Sequence, residues 1–252
     1  MKQYKKNYEL KNTAKDRLEG KYGGAILIMF LSTVISWIAR LFINSVANST
    51  ARSVYAMNGS AGSVQTVAIF FEVVFLAANI LLGVMNAGIA LYFLNIACGR
   101  QPFVRDLFYG FQNDSKKALA VSAAMALCNA VFLGPGQYLT DQFLGTREPK
   151  WLIPALIATA VGLCGYIPVS LGIAFSFFLM LDFPEKSGKE ILLQCWRLMK
   201  GNRMRLFLLE LGFLPPMLLC VLSLGIGFLW LEPYMQMTYT YFFLDLMNPR
   251  EV

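Results

Sequence analysis

Glu72, Asn79 and Asn86 recur every seven residues along an otherwise apolar run, and Asn129 and Glu210 interrupt two others. A seven-residue spacing places the first three on one slowly drifting stripe of a helix. Polar groups in such a setting either line a path for a substrate or tie helices together, a hydrogen bond there being worth under about 2 kcal/mol. Both readings stand for Asn79, Asn86 and Asn129. Counting back about 20 residues from Cys98, the length that crosses a bilayer, reaches only Asn79, so Glu72 belongs with the far headgroups. Glu210 lies about one turn inside its run, within reach of Arg203 or Arg205, or of Lys116 or Lys117 from another segment. On this count no charge falls at the midplane, which argues against an ion-coupled carrier.

A second set of residues is basic. Asp182–Phe207 is the longest polar interruption after residue 24 and holds Lys186, Lys189, Arg197, Lys200, Arg203 and Arg205. Ser187 and Glu190 have capping-box spacing, and Gly201 suits the left-handed residue that ends a helix. Between them Ile191, Leu192, Cys195, Trp196, Leu198 and Met199 share one face, with Leu193 the misfit. Such a helix either lies on a membrane surface, with Lys189, Trp196, Arg197, Lys200, Arg203 and Arg205 toward lipid, or packs on the protein itself. Arg105, Lys116 and Lys117 make a second basic segment of the same kind. The expected partners are membrane lipids, anionic ones first, or another membrane protein.

Other chemistry is poorly supplied. The chain has no histidine, which removes the commonest proton shuttle and metal ligand. Its five cysteines are widely spaced, without a metal or redox pattern, and no disulfide is expected. No catalytic spacing of Ser, Asp or Lys appears, and Asp106, Asp114, Asp182 and Glu185 read as solvated carboxylates and helix caps. The expectation is a non-enzyme without cofactor or metal. The net charge of +7 does not point to nucleic acid, because basic residues beside apolar spans are orientation signals first.

The elements that position these residues follow from composition. Hydrophobic residues make up 57% and charged residues 15%, against roughly 45–50% and 25% in a soluble domain. The fold class expected is an all-α membrane protein with six transmembrane helices, at about 24–43, 64–98, 117–135, 151–181, 205–222 and 226–247. The polar segment 1–23 reads as preceding a retained signal anchor. Arg40 is expected to snorkel to headgroups, residues 44–63 to form an outward loop, and 136–150 a second. The 64–98 run is too long for a straight crossing, with Gly83 and Gly88 as bending points. Six crossings put 18 of the 22 basic residues on the side of the termini, so the positive-inside rule places both termini in the cytoplasm.

The three inner joints resemble one another. Gly20, Gly110 and Gly201 each precede a new span, at spacings of 90 and 91 residues. Segments starting at Gly88, Gly172 and Met237 align without gaps, and each return ends at a proline (Pro102, Pro184, Pro249). This pattern is met by chance alignment of apolar sequence or by three helical hairpins, each entered through an amphipathic cytoplasmic foot near 8–20, 103–115 and 188–200.

Asp182-x-Pro184, Ser187-Gly188-x-Glu190 and Leu198-Met199-Lys200-Gly201-Asn202-Arg203-x-Arg205-Leu206-Phe207 resemble the signature of a bacterial multi-pass membrane family, domain-of-unknown-function family 975. Leu10-Lys11-x-x-Ala14-Lys15-x-x-Leu18-x-Gly20, Asp106–Phe111 and Gly225–Tyr234 are similar to its other segments. Where such families carry a Phe-Ile-Gly-Trp-like patch, this chain has Gly212-Phe213-Leu214-Pro215-Pro216, which leaves the bend of the fifth span open. The resemblance implies a bacterial inner-membrane protein without an assigned activity. A looser likeness to membrane domains attached to glycerophosphodiester phosphodiesterases implies lipid-related work, without that enzyme's histidines. The sequence thus supports a lipid-interacting or partner-binding membrane component. Its rival is a small transporter or flippase, its path lined by Asn79, Asn86, Asn129 and bends at Pro168 and Pro233.

Overall fold

The structure, a computed structural model, describes residues 2–58, 61–248 and 250–251. Helices α1 (Asn7–Leu18), α2 (Tyr22–Asn58), α3 (Ala61–Gly83), α4 (Met85–Ala97), α5 (Tyr109–Gln112), α6 (Ser115–Thr146), α7 (Leu152–Ile173), α8 (Ser176–Asp182), α9 (Gly188–Leu198), α10 (Arg203–Leu211), α11 (Leu214–Leu222) and α12 (Phe228–Met247) follow in order. Short 3-10 turns run over Val104–Phe108 and Pro149–Trp151. A two-residue antiparallel ladder joins β1 (Lys2–Gln3) to β2 (Arg250–Glu251), so the two ends of the chain meet.

Among the described residues, five stretches are long and apolar enough to cross a bilayer: Tyr22–Met57, Gln65–Ala97, Ser115–Thr146, Pro149–Asp182 and Arg203–Leu222. Large side chains on their outer faces, such as Phe42, Leu156, Val161 and Leu222, stay exposed within the protein. Helix α12, the expected sixth span, is not among the five. It carries Glu232, Gln236, Thr238, Thr240 and Asp245, and it is also deeply internal, with Leu231, Met237, Phe242, Phe243 and Leu246 buried. A helix that faces protein on most sides can hold polar groups that lipid would reject.

Several expected boundaries move. Residues 44–58 continue α2 instead of forming a loop. Hydroxyls there bond back to carbonyls one turn earlier (Ser49 and Thr50 to Val46, Ser53 to Ser49), which satisfies them without leaving the helix. Gly59 and Ser60 of the expected loop, like Pro249, lie outside the described residues. Helix α6 runs through Gly134-Pro135-Gly136 to Thr146, so the second loop shrinks to its last residues. Close packing holds it there: a Cβ on Gly162 of α7 would lie 2.1 Å from the Phe132 carbonyl oxygen, and one on Gly136 would lie 2.6 Å from the Thr159 hydroxyl. Pro168 and Pro233 sit inside unbroken helices. The breaks fall instead beside Gly83, at Ala174-Phe175 and at Gly212-Phe213.

All three feet are present as structure, and they pack on protein. Leu10, Ala14 and Leu18 form the buried face of α1, and Ile191, Cys195 and Met199 that of the α9 segment. The Ser187 hydroxyl accepts the Glu190 N–H while the Glu190 carboxylate accepts the Ser187 N–H. Gly20 and Gly201 take φ of 75° and 88°, the left-handed turn that starts the next helix. Gly110 does neither; it lies inside α5, where a Cβ would crowd the Val84 carbonyl oxygen at 2.7 Å.

Each foot rests on a returning helix. The 104–112 foot lies on α4, the α9 foot on α8 and α7, and the α1 foot on α12, joining the first foot to the last helix. The aligned segments supply much of the centre. Gly88 admits the second foot, since a Cβ there would lie 2.2 Å from the Leu107 carbonyl oxygen. Gly172 admits the Trp196 ring of the third foot at 2.5 Å by the same measure. Met237 is fully buried in one cluster with Ala14 and Leu18 of the first foot. Phe175 stacks on Phe242 at 5.5 Å and Phe178 packs against Phe243 at 5.2 Å, each such pair adding about 0.5–1.5 kcal/mol beyond its buried area.

Candidate functional site

The seven-residue stripe becomes a wall of a cleft. At the α3–α4 break Val84 N–H turns to the Leu81 carbonyl, and the Ser122 hydroxyl of α6 donates to the freed Ile80 carbonyl at 2.6 Å. Gly83 makes room for that hydroxyl, because a Cβ there would lie 2.1 Å from its oxygen. The break re-aims α4 so that Asn86 opens into the cleft while Val84, Met85, Ala87 and Gly88 are buried.

A cavity of about 810 Å³ lies between α2, α3, α4, α6 and α7, and Arg40, Glu72, Asn79, Asn86, Asn129, Gln137 and Tyr166 are in its lining. Two smaller cavities adjoin it, of about 220 and 250 Å³. They share Asn86, Met125 or Tyr166 with the large one and meet each other at Ala174 and Glu210. Gln236 and Tyr239 of α12 line the inner part beside Glu210. The polar lining therefore runs from Arg40 and Glu72 at one end to Glu210 at the other, with Ile69, Val73, Leu76 and Phe177 interspersed.

Depth can be counted along two helices. Arg40 is 18 residues beyond Tyr22 and Asn79 is 18 residues short of Ala97, so each sits about 27 Å from the end that carries the termini. The Arg40 guanidinium donates to the Asn79 side-chain oxygen at 2.9 Å, and the Asn79 amide donates to the Phe75 carbonyl at 2.9 Å. Arg40 thus turns to Asn79 at the cleft, where snorkelling to headgroups was expected. Asn86, about 16 Å from the same end, falls near the middle.

The end that carries the termini is closed by the basic residues themselves. Arg205 pairs with Asp245 at 2.5 Å and donates to the Lys5 carbonyl at 2.7 Å. Lys5 N–H donates to both Asp245 oxygens at 3.2 Å, and Asn7 reaches the Arg205 carbonyl. Arg203 lies 3.7 Å over the Trp196 ring. Lys11 donates to the Gly212 carbonyl at 2.8 Å and sits 4.0 Å over Phe213, capping α10 where Pro215 prevents the helix from continuing. Burial lowers the Lys11 ammonium pKa from its ordinary value. This clasp is the bend that the Gly212–Pro216 departure left open.

The expected residues therefore divide. Asn79, Asn86, Asn129 and Glu210 line adjoining cavities. Glu210 has none of its expected cationic partners: Arg205 goes to Asp245, Lys117 to Asp114 and the Pro184 carbonyl, and Arg203 to Trp196. Of the candidate lipid contacts, Lys189, Arg197, Lys200, Arg105 and Lys116 are exposed, and Arg105 lies 4.9 Å over Phe103. Arg205 is turned inward by the buried Asp245 carboxylate, and Arg203 lies over the half-exposed Trp196 indole; each partner competes with water for a guanidinium. Pro168 and Pro233 line none of the three cavities. The sequence reading missed Gln236, Tyr239 and Tyr166; the signal was polar side chains in spans that could have been wholly apolar.

The family resemblance is borne out by comparison: residues 149–249 match the family model described as "Protein of unknown function (DUF975)". The match covers α7 to α12, including the 182–207 stretch, and leaves the similar segments near Leu10 and Asp106 outside it. No match is found among curated proteins or among solved structures.

Proposed function

We propose that this protein is a non-enzymatic component of the bacterial cytoplasmic membrane that admits a lipid or other amphiphile to the cleft between its helices, in the manner of a small transporter or flippase. The observation that carries this reading is the polar lining from Arg40 to Glu210, broken only by short apolar patches. A purely structural bundle has no use for Asn86, Gln236 and Glu210 facing one shared space. Of the two readings open in the sequence, this favours the path over the passive component.

Six crossings support the same picture. Five spans are apolar, and the ladder between residues 2–3 and 250–251 supports an even number, with α12 as the sixth. Three hairpins, each with its foot on a neighbour's return, then close into a ring around the cleft. The count of 18 basic residues against 4 supports a cytoplasmic side for the feet and both termini. There the exposed Lys189, Arg197, Lys200, Arg105 and Lys116 face anionic lipid, each basic residue near the surface contributing about 1 kcal/mol.

The test is lipid movement. Purified protein in proteoliposomes should speed the exchange of fluorescent phospholipid between leaflets, and Asn86→Leu with Asn129→Leu should slow it. Exchange no faster than in empty liposomes, for every headgroup tried, would remove the proposal if no phospholipid is retained on purification either.

A further inference from the structure

The outer part of the cleft holds two opposite charges that do not pair with each other. Arg40 and Glu72 both line the large cavity. The ion pairs among the described residues are Lys117–Asp114, Lys150–Glu148 and Arg205–Asp245, so neither Arg40 nor Glu72 belongs to one. Arg40 is held by the Asn79 amide, a neutral partner that fixes the guanidinium without neutralising it. Glu72 stands seven residues before Asn79 on the same face of α3, about 10 Å further along the axis. Arg40 is thus held against the face of α3 that carries Glu72, in the outer part of the cleft.

A ligand suited to this arrangement carries an anion and a cation a few bonds apart, and an apolar body. Guanidinium matches phosphate oxygens in a forked geometry, and a carboxylate takes the N–H donors of a primary ammonium. Ile69, Val73, Phe75 and Leu76, on the same helix as Glu72, supply the apolar wall for a chain. We propose that this is a headgroup site for an amine-bearing zwitterionic phospholipid, of the phosphatidylethanolamine class, with Arg40 on the phosphate and Glu72 on the ammonium.

An anionic phospholipid satisfies Arg40 and meets repulsion from Glu72. A choline headgroup keeps its charge but has no N–H for the carboxylate. A soluble phosphoethanolamine lacks the chain for the apolar wall. The site therefore ranks these ligands by the chemistry of Arg40, Glu72 and the apolar wall beside them.

The inference rests on the proposed lipid-admitting function, and the experiment separates the two. Full-length protein is exchanged into a detergent mixture holding equal amounts of phosphatidylethanolamine, phosphatidylcholine and phosphatidylglycerol, and the retained lipids are counted by native mass spectrometry. Phosphatidylethanolamine should be enriched roughly fivefold, the scale of an exposed charge-assisted hydrogen bond. Glu72→Gln should lose that preference and keep total lipid, Glu72→Asp should restore part of it, and Arg40→Gln should lower retention of all three. Glycerophosphoethanolamine should not compete. Retention without headgroup preference, or a preference untouched by Glu72→Gln, overturns the headgroup assignment and leaves the lipid-admitting cleft standing. Loss of all retention together with absent leaflet exchange overturns both.

Discussion

Asp245 accepts from Arg205 and from the Lys5 backbone while almost fully buried, and it joins three parts of the chain that are far apart in sequence. Arg205→Ala should therefore destabilise by roughly 3 kcal/mol, the cost of leaving a buried charge without its partner. Arg205→Met with Asp245→Leu should recover much of that loss. Thermal unfolding in detergent measures both, and a single change within about 0.5 kcal/mol of wild type would mark the pair as an ordinary surface one. A second residue-scale expectation concerns pH. The Ser187 backbone N–H, followed by its hydroxyl, holds the Glu190 carboxyl below its ordinary value of 4.5. A depressed carboxyl stabilises above its unfolded pKa and loses that contribution as pH falls through the folded one. Glu190→Gln should thus weaken protection of the α9 amides at neutral pH, and the gap from wild type should narrow at a pH well below the ordinary value of 4.5. Hydrogen exchange at the two pH values gives the answer, and an unchanging gap would count against the charge term. This cap was readable because S-x-x-E is local. The Arg205–Asp245 pair was not, because nothing in 40 residues of intervening sequence says which carboxylate a guanidinium will choose.

Among the elements, the central distinction is between glycines that turn and glycines that admit a neighbour. Gly20 and Gly201 were legible as turns because each follows an amphipathic segment and precedes a basic start. Gly88, expected as a bend, lies inside α4 and serves as a contact point for the second foot. Gly88→Ala should be the more damaging change, since its Cβ meets the backbone of the 106–107 turn, whereas Gly172→Ala meets the Trp196 ring. A ring at the protein surface can shift; a buried turn cannot do so without moving Leu107. Melting temperatures of the two variants should differ by several degrees, and a larger drop for Gly172→Ala would refute this account of the packing. Helix ends were less legible. Ser- and Asn-rich residues 44–58 resemble a loop by composition, yet hydroxyl back-bonding keeps them helical, and the α6–α7 seam carries α6 through Pro135. Tertiary contact decided those boundaries, and no local pattern encodes it.

For the molecule as a whole, the proposed six crossings rest on the meeting of residues 2–3 with 250–251 as well as on five apolar spans. Cys98 at the end of α4 is exposed on the side of the feet, and Cys195 and Cys220 are buried, so the proposed orientation can be read from Cys98. Burial also pushes the Cys195 thiol pKa up, which slows its reaction further. A membrane-impermeant maleimide should label Cys98 in inside-out vesicles and leave it untouched in right-side-out ones. Labelling from the outer side would reverse the orientation. The polar stripe was visible in the sequence, but the cleft was not, because Gln236, Tyr239 and Glu210 join it only when the last hairpin docks. That docking has a consequence in time. The Leu10–Ala14–Leu18 face leaves the ribosome well before its seat on α12. With about 220 residues between them and synthesis at roughly 5–20 residues per second, the face waits on the order of 10–45 s for its partner. During that interval the bilayer surface, or a chaperone, must shelter three apolar side chains, because the contact between α1 and α12 forms only once α12 has been made.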